Sequence, residues 1–269
     1  MPDTVQFAQN VRRNIIHMTH RGNSSHVASA LSITDILAVL YKKIMRIDPQ
    51  QPNWEERDRF ILSKGHAGAA VYATLAERGF FDPKRLEEHC KNGGYLSGHV
   101  SHKNVPGVEL STGSLGHGLS VGAGIAYATK IENGTERTFV LMSDGECGEG
   151  SNWEAILFAG HHQLNRLVAV IDYNKLQSLG SVASTLNLEP LKQKLEAFAW
   201  TALEVDGHNH EELARALTDH PTRTQPLCII AHTTKGKGVS FMENQVLWHY
   251  RSPQNADYTQ ALKDLGAAS

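Results

Sequence analysis

Five short and largely apolar runs, separated by segments with helical periodicity, are the feature that most restricts the fold of this chain. The runs are RFILS, TFVLMSD, LVAVIDYN, TALEVDG and PLCIIAHTT, which begin at residues 59, 138, 167, 201 and 226. Strands that are apolar on both faces and alternate with helices are typical of a parallel sheet that helices cover on each side. The sequence therefore predicts an α/β fold with a doubly wound, mostly parallel sheet.

The segments around these runs predict the covering helices, because their apolar residues recur at helical spacing. Ser32 or Thr34 is the candidate N-cap of the second of these helices, and Gly79 is expected to end the third. The predicted helices span residues 5–20, 31–45, 65–79, 116–131, 153–164, 191–200, 210–220 and 255–266.

Composition restricts the class of protein further. The 269 residues are 41% hydrophobic and 20% charged, which is enough for one large α/β domain or two small ones. The sequence has no internal repeat and no low-complexity linker, so we expect a single domain over residues 1–269. The net charge of −2 gives no long-range attraction to nucleic acid, and no apolar run has the length of a membrane span. Cys90, Cys147 and Cys228 have no metal-type spacing, and the N-terminus has no signal-peptide core. We therefore expect reduced thiols, a cytoplasmic location, and neither nucleic acid nor membrane as a partner.

Polar residues follow two neighbouring runs where each predicted strand ends. Asp144 comes after the second run and Asn174 after the third, so both are expected at the carboxyl edge of the sheet, where ligands bind in such folds. A carboxylate, an amide oxygen and a nearby backbone carbonyl are suitable ligands for Mg²⁺ or Ca²⁺. Such an ion would let the acidic, glycine-rich segment SDGECGEG bind a diphosphate. The same residues also allow a plainer interpretation, in which Asp144 caps a helix that begins near Gly150 and Asn174 makes a turn.

Two further features point to a functional site. Residues 91–114 form a long segment rich in glycine and with little periodicity, and a loop of this length inside a compact domain is usually functional. Histidine is unusually frequent, with 15 residues. A Walker loop and a dinucleotide-binding loop are excluded, because neither TTKGKGVS nor GSLGHG has the required spacing.

Longer stretches of the chain resemble one family. SDG followed by Asn174 resembles the GDG…NN signature with which thiamine diphosphate enzymes bind metal and diphosphate. The stretches SSHVASALSITDILAVLY, DRFILSKGHA, LSGHVSHKNVPGVELSTGSLGHGLSVGAGIAYA and TTKGKGVSFMEN…WHYRSP resemble transketolase and occur in its order. Together they cover nearly the whole chain, which is similar to the N-terminal, diphosphate-binding part of that enzyme. It departs from the family pattern at Ser143, Tyr173, Val27 and Tyr250.

This resemblance implies a thiamine-diphosphate-binding fold and the transfer of a two-carbon ketol unit from a ketose phosphate to an aldose phosphate. It implies that thiamine diphosphate is bound with Mg²⁺, Ca²⁺ or Mn²⁺, whose ligands would be the side chains of Asp144 and Asn174 and the carbonyl of Leu176. The residues expected around the cofactor are His66, Gly113, Ser114, Leu115, Asp144, Gly145, Glu149, Asn174 and Lys235. The expected catalytic residues are His26, His66, His99 and His249. Imidazole suits this role, because it exchanges protons near neutral pH and hydrogen-bonds sugar oxygens.

The resemblance covers only one of the three domains of the family. The pyrimidine-binding and C-terminal domains of the family are expected on a partner chain, most simply in an α2β2 assembly, and this chain alone is expected to be inactive. Two other functions remain open, an α-subunit of a 2-oxoacid dehydrogenase E1 component and a non-catalytic protein that binds the cofactor. The donor and acceptor sugars do not follow from the sequence, nor does the effect of the departures at Val27 and Tyr250.

Overall fold

The computed structural model describes residues 2–218 and 223–266. Five strands form one sheet in the order β1-β2-β3-β5-β4, and all pairs of neighbouring strands are parallel. Their bounds are β1 Arg59–Leu62, β2 Thr138–Ser143, β3 Leu167–Tyr173, β4 Thr201–Asp206 and β5 Leu227–His232. The predicted fold class is therefore confirmed. The single domain predicted over residues 1–269 includes Met1, 219–222 and 267–269, which lie outside the described residues.

Each face of the sheet has its own apolar core. Along β2, Phe139 and Leu141 belong to one buried cluster, whereas Val140 and Met142 belong to the other. Successive side chains of a strand point to opposite faces, so a strand buried on both is mostly apolar, whereas the edge strand β4 is partly exposed. This explains why the strands could be recognised as continuous apolar runs.

Helices cover both cores. The first face packs against α1 Pro2–Arg21, α2 Val27–Ser32, α3 Thr34–Val39, α4 Gly68–Arg78, α9 His210–Leu217 and α10 Asn255–Asp264. The second face packs against α5 Gly118–Ile131, α6 Gly150–His161, α7 Val182–Thr185 and α8 Leu191–Ala197. None of the helices in the described ranges combines the length and the apolar character that a bilayer span requires. The predicted helix 210–220 ends at Leu217, and its positions 219 and 220 are not described.

The predicted helix 31–45 is wrong as a single element. The chain instead forms α2, a break at Ile33 (φ −95°, ψ 1°), α3 and a π-helical turn over Leu40–Ile44. Neither expected N-cap serves as one, because both hydroxyls are buried and bonded elsewhere. Ser32 donates to Asp172, and Thr34 donates to the carbonyl of Ala30 in α2. Gly79 ends α4 as predicted, in the left-handed conformation (φ 92°) that favours glycine.

Candidate functional site

A cavity of about 350 Å³ lies at the carboxyl edge of the sheet, among the segments that follow β1, β2, β3 and β5. Most of the residues predicted from the sequence line it, although their roles are still predictions. Ser114 is exposed and is not part of the lining. The predicted residues that do line the cavity are His26, His66, His99, Gly113, Leu115, Asp144, Gly145, Glu149, Asn174, Leu176, Lys235 and His249.

The three proposed metal donors lie on two loops that hydrogen bonds hold together. Asp144 follows β2, and its Oδ2 accepts from the Lys175 backbone N–H at 2.5 Å. Asn174 follows β3, and its Oδ1 accepts from the Leu176 backbone N–H at 3.1 Å. The plainer interpretation is thus partly realised, because Asn174 makes a turn and Asp144 caps a 3-10 turn at Gly145 rather than helix α6. These same contacts bring the donors to one place.

The chemistry of this donor set fits a divalent cation. Burial, reinforced by the nearby carboxylate of Asp172, raises the pKa of Asp144 to about 7. A cation bound by Asp144, Asn174 and the carbonyl of Leu176 would favour the ionised carboxylate, and all three ligands would be hard oxygens. Within the described ranges, no group of three His, Cys, Asp or Glu side chains could hold a metal ion. A metal site at Asp144 would therefore need amide and carbonyl oxygens as its other ligands.

A buried ion pair lies beneath these donors. Lys64 Nζ is 2.5 Å from Asp172 Oδ2, and the two side chains are 1% and 0% exposed. Burial favours protonation of Asp172, but the Lys64 ammonium and several hydrogen bonds hold the pKa of this carboxyl below its usual range. Asp172 also accepts from Asn174 Nδ2 at 3.0 Å. This bond fixes the orientation of the Asn174 amide, because its nitrogen faces Asp172 and its oxygen is left for the loop and the cavity.

Four histidines line one side of the cavity. The ring of His26 is central, with centroids 5.1 Å from His66, 5.9 Å from His99 and 4.8 Å from His249. Burial, together with neighbouring cationic groups, lowers the pKa of His26 to about 4 and that of His249 to about 3. The pKa of His66 is also lowered well below its usual value, mainly by burial. Three of these rings are therefore neutral at pH 7 and offer hydrogen bonds without a fixed charge.

His26 has an unusual backbone that directs its ring. Its φ of 69° is left-handed, and its N–H donates to the His249 carbonyl at 2.9 Å. Its buried Nδ1 has no hydrogen-bond partner in the structure. The ring as a whole lines the cavity.

Lys235 connects the metal-donor loop to the histidines. Its side chain is buried, and Nζ lies 3.0 Å from the Leu176 carbonyl and 3.0 Å from His249 Nδ1. Burial, with the nearby charge of Lys64, lowers the pKa of Lys235 to about 8. The side chain is thus mainly cationic at pH 7, as a diphosphate contact requires.

Comparison with known proteins identifies the family of this chain. Residues 4–268 match the family model described as "Transketolase, thiamine diphosphate binding domain". The chain belongs to the transketolase family. It is 40% identical over 255 residues to one of the subunits of the apulose-4-phosphate transketolase of Phocaeicola vulgatus, a match that covers 94% of this chain and 90% of the relative.

Other members of the transketolase family agree. The 6-deoxy-6-sulfo-D-fructose transketolase subunit of a Clostridium species is 42% identical over 226 residues, covering 83% of this chain and 82% of that relative. The crystal structure of Campylobacter jejuni transketolase superposes with a TM-score of 0.92 at 30% identity. That match covers 99% of this chain but 43% of the solved chain. This transketolase-family chain therefore spans less than half the length of that solved transketolase.

The acidic residues of the SDGECGEG segment differ in burial, which the sequence did not reveal. Glu149, which was predicted to contact the cofactor, is exposed and precedes α6 without capping it through its side chain. Glu146, which was not singled out, is fully buried and accepts from the Ser63 hydroxyl and from the Gly116 N–H at 2.8 Å. It joins the loops that follow β1 and precede α5.

The sequence patterns assigned no role to Lys64 or Asp172. The signal was present, because Asp172 is a charged residue inside the apolar run LVAVIDYN and Lys64 directly follows the run RFILS. A charge at a position buried on both faces needs a partner of opposite charge.

Proposed function

We propose that this chain is the cofactor-binding subunit of a two-chain transketolase that depends on thiamine diphosphate and a divalent metal ion. The reaction would transfer a two-carbon ketol unit from a ketose to an aldose. The observation that carries this proposal is that neutral imidazoles, the Lys235 ammonium and a set of oxygen donors all face one cavity. Family membership supports transketolase over the E1 α-subunit, while the non-catalytic alternative depends on the experiment below.

The proposed roles follow from these positions. Asp144, Asn174 and the Leu176 carbonyl would hold Mg²⁺, or Ca²⁺ or Mn²⁺ in its place, and Lys235 would contact the diphosphate. Gly145 would let the diphosphate approach the backbone closely. Bound thiamine diphosphate supplies a nucleophilic carbon and an electron sink.

The histidines would act on the sugar rather than on the metal. His26, whose ring lines the cavity, and His99, whose exposed ring stands beside it, would bind hydroxyl groups and move protons at the reacting oxygens. His66 and His249 would complete the polar wall, with His249 held by Lys235.

A partner chain would close this half-site. The similar bacterial proteins are named as subunits. Exposed apolar side chains occur at Tyr250, which lines the cavity, and at Leu179 and Leu247, which lie close in the chain to the lining residues Ser178 and His249. Leu179 is 88% exposed, Leu247 52% and Tyr250 59%. We propose that a second chain with a pyrimidine-binding domain covers the cavity and these side chains in an α2β2 assembly, because exposed apolar surface of this kind marks interaction sites. The free thiols of Cys90, Cys147 and Cys228 support a reducing, cytoplasmic location.

The class of substrate is proposed from the relatives. One is named for a sugar phosphate and another for a sulfonated fructose, so both names point to sugars with an anionic group. We propose an anionic ketose as the donor for this chain as well.

The test is a calorimetric titration of the chain with thiamine diphosphate, with and without Mg²⁺. We expect binding at micromolar cofactor only when Mg²⁺ is present, and no binding by Asp144→Ala, which lacks a metal ligand. Asp257→Ala, which removes an exposed carboxylate on α10, should bind like the unsubstituted chain. Unchanged affinity in Asp144→Ala would show that the metal site is assigned wrongly.

A further inference from the structure

A second polar cluster lies outside the cavity, between helices α1, α3 and α9. Its centre is Asp35, whose side chain is 7% exposed. Arg12 donates to both carboxylate oxygens, at 3.0 and 2.5 Å. His208 Nδ1 lies 2.7 Å from Asp35 Oδ2, and His210 Nε2 lies 3.0 Å from Asp35 Oδ1. None of these four side chains lines the cavity.

The hydrogen bonds of His208 define its tautomer. The backbone N–H of Thr234 donates to His208 Nε2 at 2.8 Å. Because a backbone nitrogen can only donate, Nε2 must be the unprotonated nitrogen of a neutral ring. The proton is then on Nδ1, which donates it to Asp35. Asp35 thus selects the one tautomer that can accept from Thr234.

The cluster holds the loop after β5 at two points, on either side of Lys235. His208 binds the N–H of Thr234, and Arg12 Nε donates to the Lys237 carbonyl at 3.2 Å. Between these anchors, the Lys235 side chain lines the cavity. It is 1% exposed and reaches the Leu176 carbonyl and His249.

We propose that His208, oriented by Asp35, is a positioning residue that fixes the backbone at Thr234 and so places the Lys235 ammonium in the cavity. His208 itself touches neither cofactor nor substrate. The consequence for cofactor binding rests on the proposed function, whereas the effect on the loop does not.

Two substitutions of His208 separate positioning from a purely structural role. In His208→Gln, a side-chain oxygen can reach the place of Nε2 and accept from Thr234, while the bond to Asp35 is lost. In His208→Asn, the amide NH₂ takes the place of Nδ1 and keeps the bond to Asp35, while Thr234 loses its acceptor. A role confined to the Asp35 cluster predicts that Asn is the milder change, and positioning predicts that Gln is.

The direct measurement is hydrogen exchange of the Thr234 amide in the chain without cofactor. We expect exchange to be about tenfold faster in His208→Asn, as for loss of one hydrogen bond, and close to the unsubstituted rate in His208→Gln. Affinity for thiamine diphosphate with Mg²⁺ should fall in the same order. The reverse order, or equal exchange in all three proteins, would overturn the proposal.

A measurement on the unsubstituted chain keeps the proposal testable even if a variant fails to fold. Nitrogen-15 NMR of His208 at pH 7 should show a neutral ring with the proton on Nδ1. A proton on Nε2, or a charged ring, would overturn the proposal, because neither can accept from Thr234. If the unsubstituted chain binds no cofactor, the proposed function fails, but the exchange and tautomer results still decide the role of His208.

Discussion

Replacement of Lys64 by Met should destabilise this chain strongly, because it leaves the carboxylate of Asp172 buried without its counter-charge. The pair is 2.5 Å apart, and the side chains are 1% and 0% exposed. Removal of one partner of such a pair typically costs about 3–5 kcal/mol. Ser32, Thr233 and Asn174 still donate hydrogen bonds to the carboxylate, so we expect a loss near the lower limit, about 3 kcal/mol.

Urea unfolding, followed by circular dichroism, measures this loss. With a denaturant slope of about 3 kcal/mol/M, a loss of about 3 kcal/mol lowers the unfolding midpoint by about 1 M. The control is the double variant Lys64→Met/Asp172→Asn, in which the neutral amide removes the uncompensated charge. The double variant should unfold at a higher urea concentration than the single variant. A single variant that loses less than about 1 kcal/mol, or a double variant that is no more stable, would refute this reasoning.

Three other predictions concern the histidines and the helix packing. In the assembled enzyme, His26→Ala and His99→Ala should each bind thiamine diphosphate almost normally but lose about 10²–10⁴ in turnover, and wild-type turnover in both would contradict their roles. Burial lowers the pKa of His89 to about 4, so the unfolded chain takes up this proton first and stability falls as the pH drops from about 6.5 toward 4. His89→Gln should therefore reduce the slope of unfolding free energy against pH, measured between pH 5 and 6, by about 1 kcal/mol per unit, and an unchanged slope would disprove the shift. In helix α5, Gly124→Ala meets no atom within 4 Å and should raise stability by about 0.5–1 kcal/mol, whereas a Cβ at Gly122 would overlap a methyl group of β2 and should cost about 1–3 kcal/mol. Urea midpoints that move in the same direction would show that packing does not separate these two glycines.

The sheet could be predicted because its chemistry is local. A strand buried on both faces is mostly apolar, as β1, β2, β3 and β5 are, and the partly exposed edge strand β4 still forms a largely apolar run. The break in the second predicted helix could not be found this way. No residue type around Ile33 indicates a helix break. Ser32 has the chemistry of an N-cap, but in the folded chain its hydroxyl donates to Asp172 instead.

The site was predictable where it depends on residues at strand ends or on a family motif. Asp144 and Asn174 were expected to meet, and a hydrogen bond does join their loops. The sequence could not show which acidic residue supports the site from the protein interior. Glu146 is buried and Glu149 is exposed, and only the three-dimensional structure reveals this difference. The cluster around Asp35 was missed for a related reason. Asp35 and His208 are 173 residues apart in the chain, and no local pattern connects them.

The central claim is that this chain supplies half of a transketolase active site. The most direct test is a ketol-transfer assay with Mg²⁺, thiamine diphosphate, an anionic ketose donor and ribose phosphate, on the chain alone and with a chain that carries a pyrimidine-binding domain. We expect no turnover by the chain alone and turnover when the second chain is added. Robust turnover by the isolated chain, after removal of all host transketolase, would contradict this claim.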